Sequence, residues 1–392
     1  MVYGGGLPHV FLVNGGPLEV VRQYKYVGVT VCSDKRDIFA DHYETKASKG
    51  RNVARAVFCA ESFVGTIPVR TGRTLYLARV DPHLTGGCEI VIDVGGEGLK
   101  GLRDVQVQFV RRLLGIGSRA IVASLFTETG FMPIGHRRLI LALRYLQYLL
   151  RLPPHQYAAA AMRDTFALAG SSQACWATDI RLVLRRLCVG LEGAWHALQD
   201  FKSVDDIIAA VEGAAGKEQQ DELDRSHRLV LLQGRVNPDL IAEPGFSPLK
   251  YRAYLDVHIP AHRKALTRLM VAQHPLAVEL LRRRERYRAY VPKPMRICRF
   301  CRVHVEDEVH VLLLCTGDAA LTDVRQEFST GISHVIPRLP SMDGIAFIQA
   351  VVDGPMEGVA IFARFVHRVF ARVDAVPMII PASARINAVR VG

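Results

Sequence analysis

Cys298, Cys301, His310 and Cys315 follow one another as Cys-x2-Cys-x8-His-x4-Cys. Two thiolates separated by two residues can hold one metal ion from a tight turn. A His and a Cys about one helical turn apart can then close a tetrahedron from a following helix. The chemistry specified is tetrahedral zinc binding. With all four positions filled by protein there is no place for an activated water, so the cofactor expected here is a structural zinc ion. His304 lies in the same loop. It follows Cys301 so closely that His310, with its longer reach, is the preferred ligand. Glu306, Asp307 and Glu308 precede His310. One of them accepting the second imidazole N–H would fix the tautomer, and a solvated acidic turn is an equally open reading.

The densest positive run lies just before this array. Arg282, Arg283, Arg284, Arg286 and Arg288 alternate with Tyr287 and Tyr290. Arginines of this kind can track phosphates while tyrosines stack on unpaired bases, and a solvated helical face is the alternative. Lysine and arginine total 50 against 38 acidic residues, a formal net charge of +12. Arginine is the commoner cation and offers planar, bidentate contacts to phosphate, so nucleic acid is the first candidate partner. A small-molecule substrate is not expected.

Three further patterns have simpler explanations than the chemistry they suggest. Gly96, Gly98 and Gly101 form a GxGxxG after the strand-like residues 89–94. No βαβ unit surrounds them, and Glu128 is too distant for a ribose-binding carboxylate, so a glycine-rich loop is expected. Asp205 and Asp206 resemble a polymerase metal pair, but Ser203 before them reads as a helix N-cap followed by an acidic first turn. Arg364, Arg368 and Arg372 recur every fourth residue opposite Phe362, Phe365, Val366, Val369 and Val373. That is an amphipathic helix with a solvated arginine stripe, phosphate contact being the minority reading. No GxSxG nucleophile motif is present.

The 392 residues, 49% hydrophobic, can build sizeable cores. No apolar run approaches the ~18 residues needed to cross a bilayer, and residues 1–13 lack a signal-peptide layout. An intracellular protein of the nucleus or cytoplasm, not secreted and without membrane partners, is expected. Cys32, Cys59, Cys88, Cys175 and Cys188 are scattered singly, as free thiols are in a reducing compartment. Residues 10–13 and 18–21 flank Asn14-Gly15-Gly16 as a hairpin, and residues 24–31 read as a further strand. Helical periodicity then covers residues 37–62, 104–114, 136–150 and much of 156–222. Residues 237–248, with three prolines, read as a linker. Residues 249–290 read as a basic helical region, and 356–373 as the amphipathic helix.

The order of these features resembles the C-terminal part of a non-LTR, LINE-type retrotransposon reverse transcriptase. Tyr24-Lys25-Tyr26-Val27-Gly28-Val29 resembles the family's primer-grip strand, with Val27 in place of the usual Leu. Leu75-Tyr76 with Val80 to Glu89, and Phe109 to Gly115 with Glu128 to Ile134, are similar to its thumb. Leu266 to Leu269, Arg296 to Cys301 and Glu306 to Cys315 are similar to its zinc-binding segment. The resemblance implies nucleic-acid contacts from Lys25, Tyr26 and Gly28 in the strand and from Arg111 and Arg112 in the thumb. Because the family's catalytic aspartates precede that strand, it also implies a fragment without a catalytic palm or catalytic residue.

The expectation is a mainly α chain. Residues 1–35 are residual palm strands, a short β-hairpin remnant; 36–155 are a helical thumb and 156–248 a helical linker region. Residues 249–315 are basic helices with a small zinc-binding subdomain, and 316–392 a helical extension. The expected property is largely sequence-tolerant binding of RNA or an RNA/DNA duplex. An inert retroelement relic, a truncated gene model of an active polymerase and a zinc module that binds protein are the alternatives.

Overall fold

The computed structural model describes residues 10–188, 197–235, 247–286, 288–336 and 344–385. They form a mainly helical protein with two small antiparallel hairpins at the N-terminal end. The first pairs β1 (Leu12–Val13) with β2 (Gly16–Pro17) around Asn14-Gly15; a hairpin is expected here, but its strands are only two residues long and exposed, and residues 18–21, expected as its second strand, form none. The stretch expected to be one strand is instead a second hairpin, β3 (Gln23–Tyr26) with β4 (Val29–Cys32), turning at Val27 and Gly28. Both turn residues have positive φ, 47° and 85°, the backbone that reverses a chain with the twist of its strands. Glycine supplies the second at no steric cost, whereas Val27 is strained there.

The long helices follow. Helix α1 (Ala40–Cys59) buries Tyr43, Ala47, Gly50 and Ala54, a spacing of three and four residues that lays one face on α2 (Leu99–Leu114). Helix α3 (Val122–Thr129) stops at Gly130, whose φ of 67° favours glycine. A Cβ there would also lie 2.8 Å from the Tyr251 backbone nitrogen, where Thr129 bridges to Tyr251. Pro133 then opens α4 (Ile134–Leu150). Helices α5 (Tyr157–Gly170), α6 (Trp176–Leu187) and α7 (Ser203–Asp224) pack with α4 around Leu139, Leu143, Leu146, Ile180, Val204 and Val211. The cap of α7 is the Asp200 carboxylate, which accepts the Ser203 N–H at 3.2 Å, rather than Ser203 itself. Asp205 and Asp206 lie in its first turn.

Beyond α8 (Pro260–Met270) come the Cys/His loop, then α9 (Ala319–Val335), α10 (Gly344–Val352) and α11 (Met356–Asp374). Helix α11 buries Phe362, Phe365, Val366, Val369 and Val373, the face its sequence indicates, against α8 and α9. Each such side chain contributes roughly 1.5–3 kcal/mol when fully buried. One hydrophobic core runs from Val29 through α1 and α2 to Val311, Leu312 and Val373. The Cys/His loop and α11 therefore share a core with the expected thumb.

Two expected elements are absent. Residues 89–94 form no strand, because their polar groups serve other partners. The Val91 carbonyl accepts from Arg138, those of Asp93 and Val94 accept from Arg186, and the Glu89 carbonyl accepts from the Trp176 indole. Gly98 lies against the Tyr43 ring and Gly101 inside α2, so the GxGxxG is a packing loop. The basic stretch 249–290 is not a continuous helix either. After α8 it has one short turn, Ala277–Leu280, and the arginine run is a tight reversal in which Glu285 and Arg288 exchange backbone hydrogen bonds. Most of the expected linker, residues 237–246, lies outside the described residues.

The loop 89–94 is shaped by a buried charge. Arg138 is 1% exposed and donates to both oxygens of Asp93 at about 3 Å, while the Tyr43 hydroxyl donates to the same carboxylate at 2.6 Å. Replacing Asp93→Asn keeps the shape and leaves Arg138 uncompensated. Removing one partner of a buried pair costs about 3–5 kcal/mol, so the variant's urea midpoint should fall accordingly. An unchanged midpoint would mean that Arg138 does not carry its charge there.

Candidate metal centre and basic surfaces

The chain between Cys298 and Cys315 makes a knuckle and a single wide turn. Backbone N–H groups of Phe300 and Cys301 point at the Cys298 sulfur, those of Val303 and His304 point at Cys301, and Arg302 takes a φ of 60° to allow it. Gly317 packs so closely that a Cβ would lie 2.5 Å from the Cys301 backbone. His310 and Cys315 are five residues apart, and the His310–Leu314 segment is a π-turn. Its i→i+5 closure, with the Cys315 N–H donating to the His310 carbonyl at 2.7 Å, sets both side chains on one side.

The four ligand atoms of Cys298, Cys301, His310 and Cys315 lie within 4.8 Å of one another, a cluster that can hold a metal ion. The Cys298 and Cys315 sulfurs are 3.7 Å apart and the Cys301 sulfur is 3.3 Å from His310 Nε2. A tetrahedron with metal–sulfur bonds of about 2.3 Å has sulfur–sulfur edges of about 3.8 Å, so the spacing fits. Burial pushes the Cys298 thiol up to about 12, with the neighbouring Cys315 sulfur adding to it. A bound cation would have to displace that proton. Burial and the neighbouring His304 lower His310, which favours the neutral imidazole that ligates metals. His304 itself is exposed and outside the cluster.

None of the three acidic residues is seen accepting the His310 ring N–H. Asp307 accepts the backbone N–H of His310 at 2.9 Å. Glu308 pairs with buried His274 at 2.8 Å. Glu306 is fully buried and pairs with Arg299 at 2.8 Å, also accepting the backbone N–H groups of Ala277 and Arg299. Arg299 continues outward, donating to the carbonyls of Pro275, Val373 and Val376. Two of these carbonyls belong to the C-terminal end of α11 and the residues just past it. Arg325 of α9 donates in turn to Leu312 and Cys315 carbonyls. The knuckle is thus tied to both C-terminal helices by side chains whose roles the local sequence does not signal.

The expected nucleic-acid residues fall in three places. In the arginine run, Arg282 donates to Glu279 at 2.9 Å, and Arg288 is buried on the Leu280 carbonyl and Glu285. Arg284 and Arg286 are exposed and Arg283 half-buried, while Tyr287 lies outside the described residues. On α2, Arg112 pairs with Glu61 at 2.8 Å above the Phe58 ring, and Arg111 donates to the Ala120 carbonyl. On the β3–β4 hairpin, Lys25, Tyr26 and Gly28 are exposed, Lys25 and Gly28 lining a cavity beside α1. The α11 stripe is not simply solvated: Arg368 pairs with Glu327 and Arg372 with Asp318 on α9.

Helix α1 holds basic residues that reading for motifs passes over. Lys46, Lys49, Arg51 and Arg55 follow Glu44 with no further carboxylate in the helix. Their spacing on a helix whose acidic residues all lie in its N-terminal part was the available signal. Comparison with known proteins identifies no matching family model, no matching curated protein and no matching solved structure. Among the described residues, no helix is long and apolar enough to cross a membrane.

The Glu306→Gln variant tests the brace. It keeps the volume and leaves the Arg299 guanidinium buried without its counter-charge, which costs about 3–5 kcal/mol. The loss should show as a lowered unfolding midpoint and as faster backbone hydrogen exchange at the end of α11. Exchange at α11 equal to that of the unaltered protein would show that Arg299 does not anchor that helix.

Proposed function

We propose that this chain binds RNA or an RNA/DNA duplex electrostatically, with little sequence preference, on a scaffold held by one structural zinc ion. The observation that carries the reading is the set of cations without carboxylate partners. Lys25, Lys46, Lys49, Arg51 and Arg55 form no ion pair among the described residues, and they line two cavities of about 490 Å³ each on either side of α1. The second also holds Phe58 and Phe109, an aromatic floor beside arginines. Exposed Tyr24 and Tyr26 stand on the other face of the same hairpin. The resemblance to the C-terminal part of a LINE-type reverse transcriptase suggests the class of nucleic acid. Under this reading the described residues position nucleic acid. The emphasis moves from the arginine run, part of which is engaged within the protein, to α1 and the β3–β4 hairpin.

Zinc is the metal this donor set favours, since three thiolates and one imidazole match its tetrahedral preference. Purified protein should carry one zinc per chain, and Cys301→Ser, at a half-buried ligand, should lose it. Apparent zinc affinity in small sites is about 10–16 kcal/mol, comparable to a domain's whole stability, so a chelator should unfold the knuckle with α11. A full equivalent of zinc retained by the variant would mean that the ligand set is wrong.

The interface is tested by anisotropy of labelled RNA against salt. Four to five displaced counterions give a loss on the order of 10²-fold or more between 50 and 200 mM salt. Charge reversal at Lys49 and Arg55 should weaken binding more than reversal at Arg282. Affinity flat with salt, or equal effects from all three positions, would count against this surface.

A further inference from the structure

The cavity between the β3–β4 hairpin and α1 has the composition of an anion site. It is about 490 Å³ and is lined by Lys25, Lys46, Lys49, Gln23, Thr30 and His42, with Thr45 and Gly28 at its margin and no carboxylate in its wall. The strand register sets Lys25 opposite Thr30 on one face of the hairpin, with Gln23 two residues away on the same face. His42, Thr45, Lys46 and Lys49 occupy one face of α1, at i, i+3, i+4 and i+7. Three ammonium groups thus converge from two elements.

Lys46 differs from Lys25 and Lys49, which are exposed. Lys46 is half-buried, and burial together with the charges of Lys49, Arg138 and Lys25 disfavours its ammonium form, against a smaller opposing effect of the Glu89 carboxylate. The like charges are held together by a fixed wall. His42 is 1% exposed, its Nδ1 accepting the Thr30 N–H at 3.4 Å and its Nε2 lying 3.2 Å from the Gly86 carbonyl. That arrangement requires a neutral imidazole with the proton on Nε2. Burial, with Lys46 nearby, lowers His42 to about 4, in agreement. His42 therefore pins the hairpin to the helix without adding charge, and the lysines are left facing a shared space. A doubly charged oxyanion would relieve their repulsion, and the Thr45 and Thr30 hydroxyls would be at hand to donate to its remaining oxygens, while the Gln23 amide nitrogen donates to the Asp41 carboxylate at 3.0 Å.

We infer that this cavity is a phosphate-binding site, taking a phosphomonoester or inorganic phosphate through Lys25, Lys46 and Lys49. It deepens the nucleic-acid reading, on which a terminal phosphate as the source would rest, yet it is testable without nucleic acid. Full-length zinc-loaded protein is titrated with inorganic phosphate at constant ionic strength and followed by phosphorus-31 line broadening. The expected result is saturable broadening that weakens roughly tenfold in Lys46→Gln, as loss of one charge-assisted contact implies, weakens likewise in Lys49→Gln, and is largely kept in Lys46→Arg. The Arg364→Gln variant, at an exposed position of α11, should match the unaltered protein. Two RNA strands, with and without a 5′-phosphate, separate the sources. A preference for the phosphorylated strand that vanishes in Lys46→Gln assigns the site to nucleic-acid ends, and phosphate binding without that preference assigns it to the free anion.

Absence of saturable broadening, or equal broadening in all variants, overturns the site. Phosphate binding lost in Lys46→Gln by a protein that binds no RNA would keep the site and sink the nucleic-acid reading. Salt-dependent RNA binding that weakens on charge reversal at Lys49 and Arg55, with no saturable phosphate binding, would do the reverse.

Discussion

A charge sealed inside a protein has to be matched, and the pairing of Arg299 with Glu306 inside the Cys/His loop is where that constraint organises the C-terminal half. Glu306 is spent wholly on holding Arg299 and two backbone N–H groups. Arg299 in turn carries the loop to the carbonyls at the end of α11. The same loop presents Cys298, Cys301, His310 and Cys315 to one point. Ligand geometry and ion pair are two constraints on one short segment, so loss of either loosens the other. Because this segment shares its core with α1, α2, α9 and α11, it acts as a keystone rather than as an appended module.

Formal charge and available charge also part company here. The excess of +12 invites a polyanion, yet Arg138, Arg235, Arg288 and Arg299 are buried on carboxylates and carbonyls. Arg235 joins Glu128 to Asp353, which also accounts for the glutamate considered for ribose binding. Arginine suits such duty because its fork can serve several carbonyls at once. Among the cations outside such pairs are Lys46, Lys49, Arg51 and Arg55 of α1, a grouping that the dense arginine run in the sequence does not reveal.

Local signals were legible where local physics decides. The four ligands were readable because metal geometry restricts spacing, and α11 because its apolar face repeats at helical period. The end of the helix read over 104–114 falls at Gly115, which takes the left-handed backbone that favours glycine. Residues 89–94 misled because alternation normally marks a strand, while Arg138, Arg186 and Trp176, distant in sequence, claim the carbonyls a strand would need. The run beginning at Arg282 misled for a related reason: its backbone reverses at Glu285 and docks, through Ala289, on the Ala384 carbonyl. The lysine cavity was hidden because it joins two elements whose approach is set by His42, a residue with no motif around it.

The zinc ion proposed at the Cys298, Cys301, His310 and Cys315 cluster would have a shell of three sulfurs and one nitrogen. X-ray absorption at the zinc edge of the purified protein measures that shell directly. The account predicts three sulfurs at about 2.3 Å and one imidazole nitrogen at about 2.0–2.1 Å. A shell dominated by oxygen, or one with fewer than three sulfurs, would contradict it.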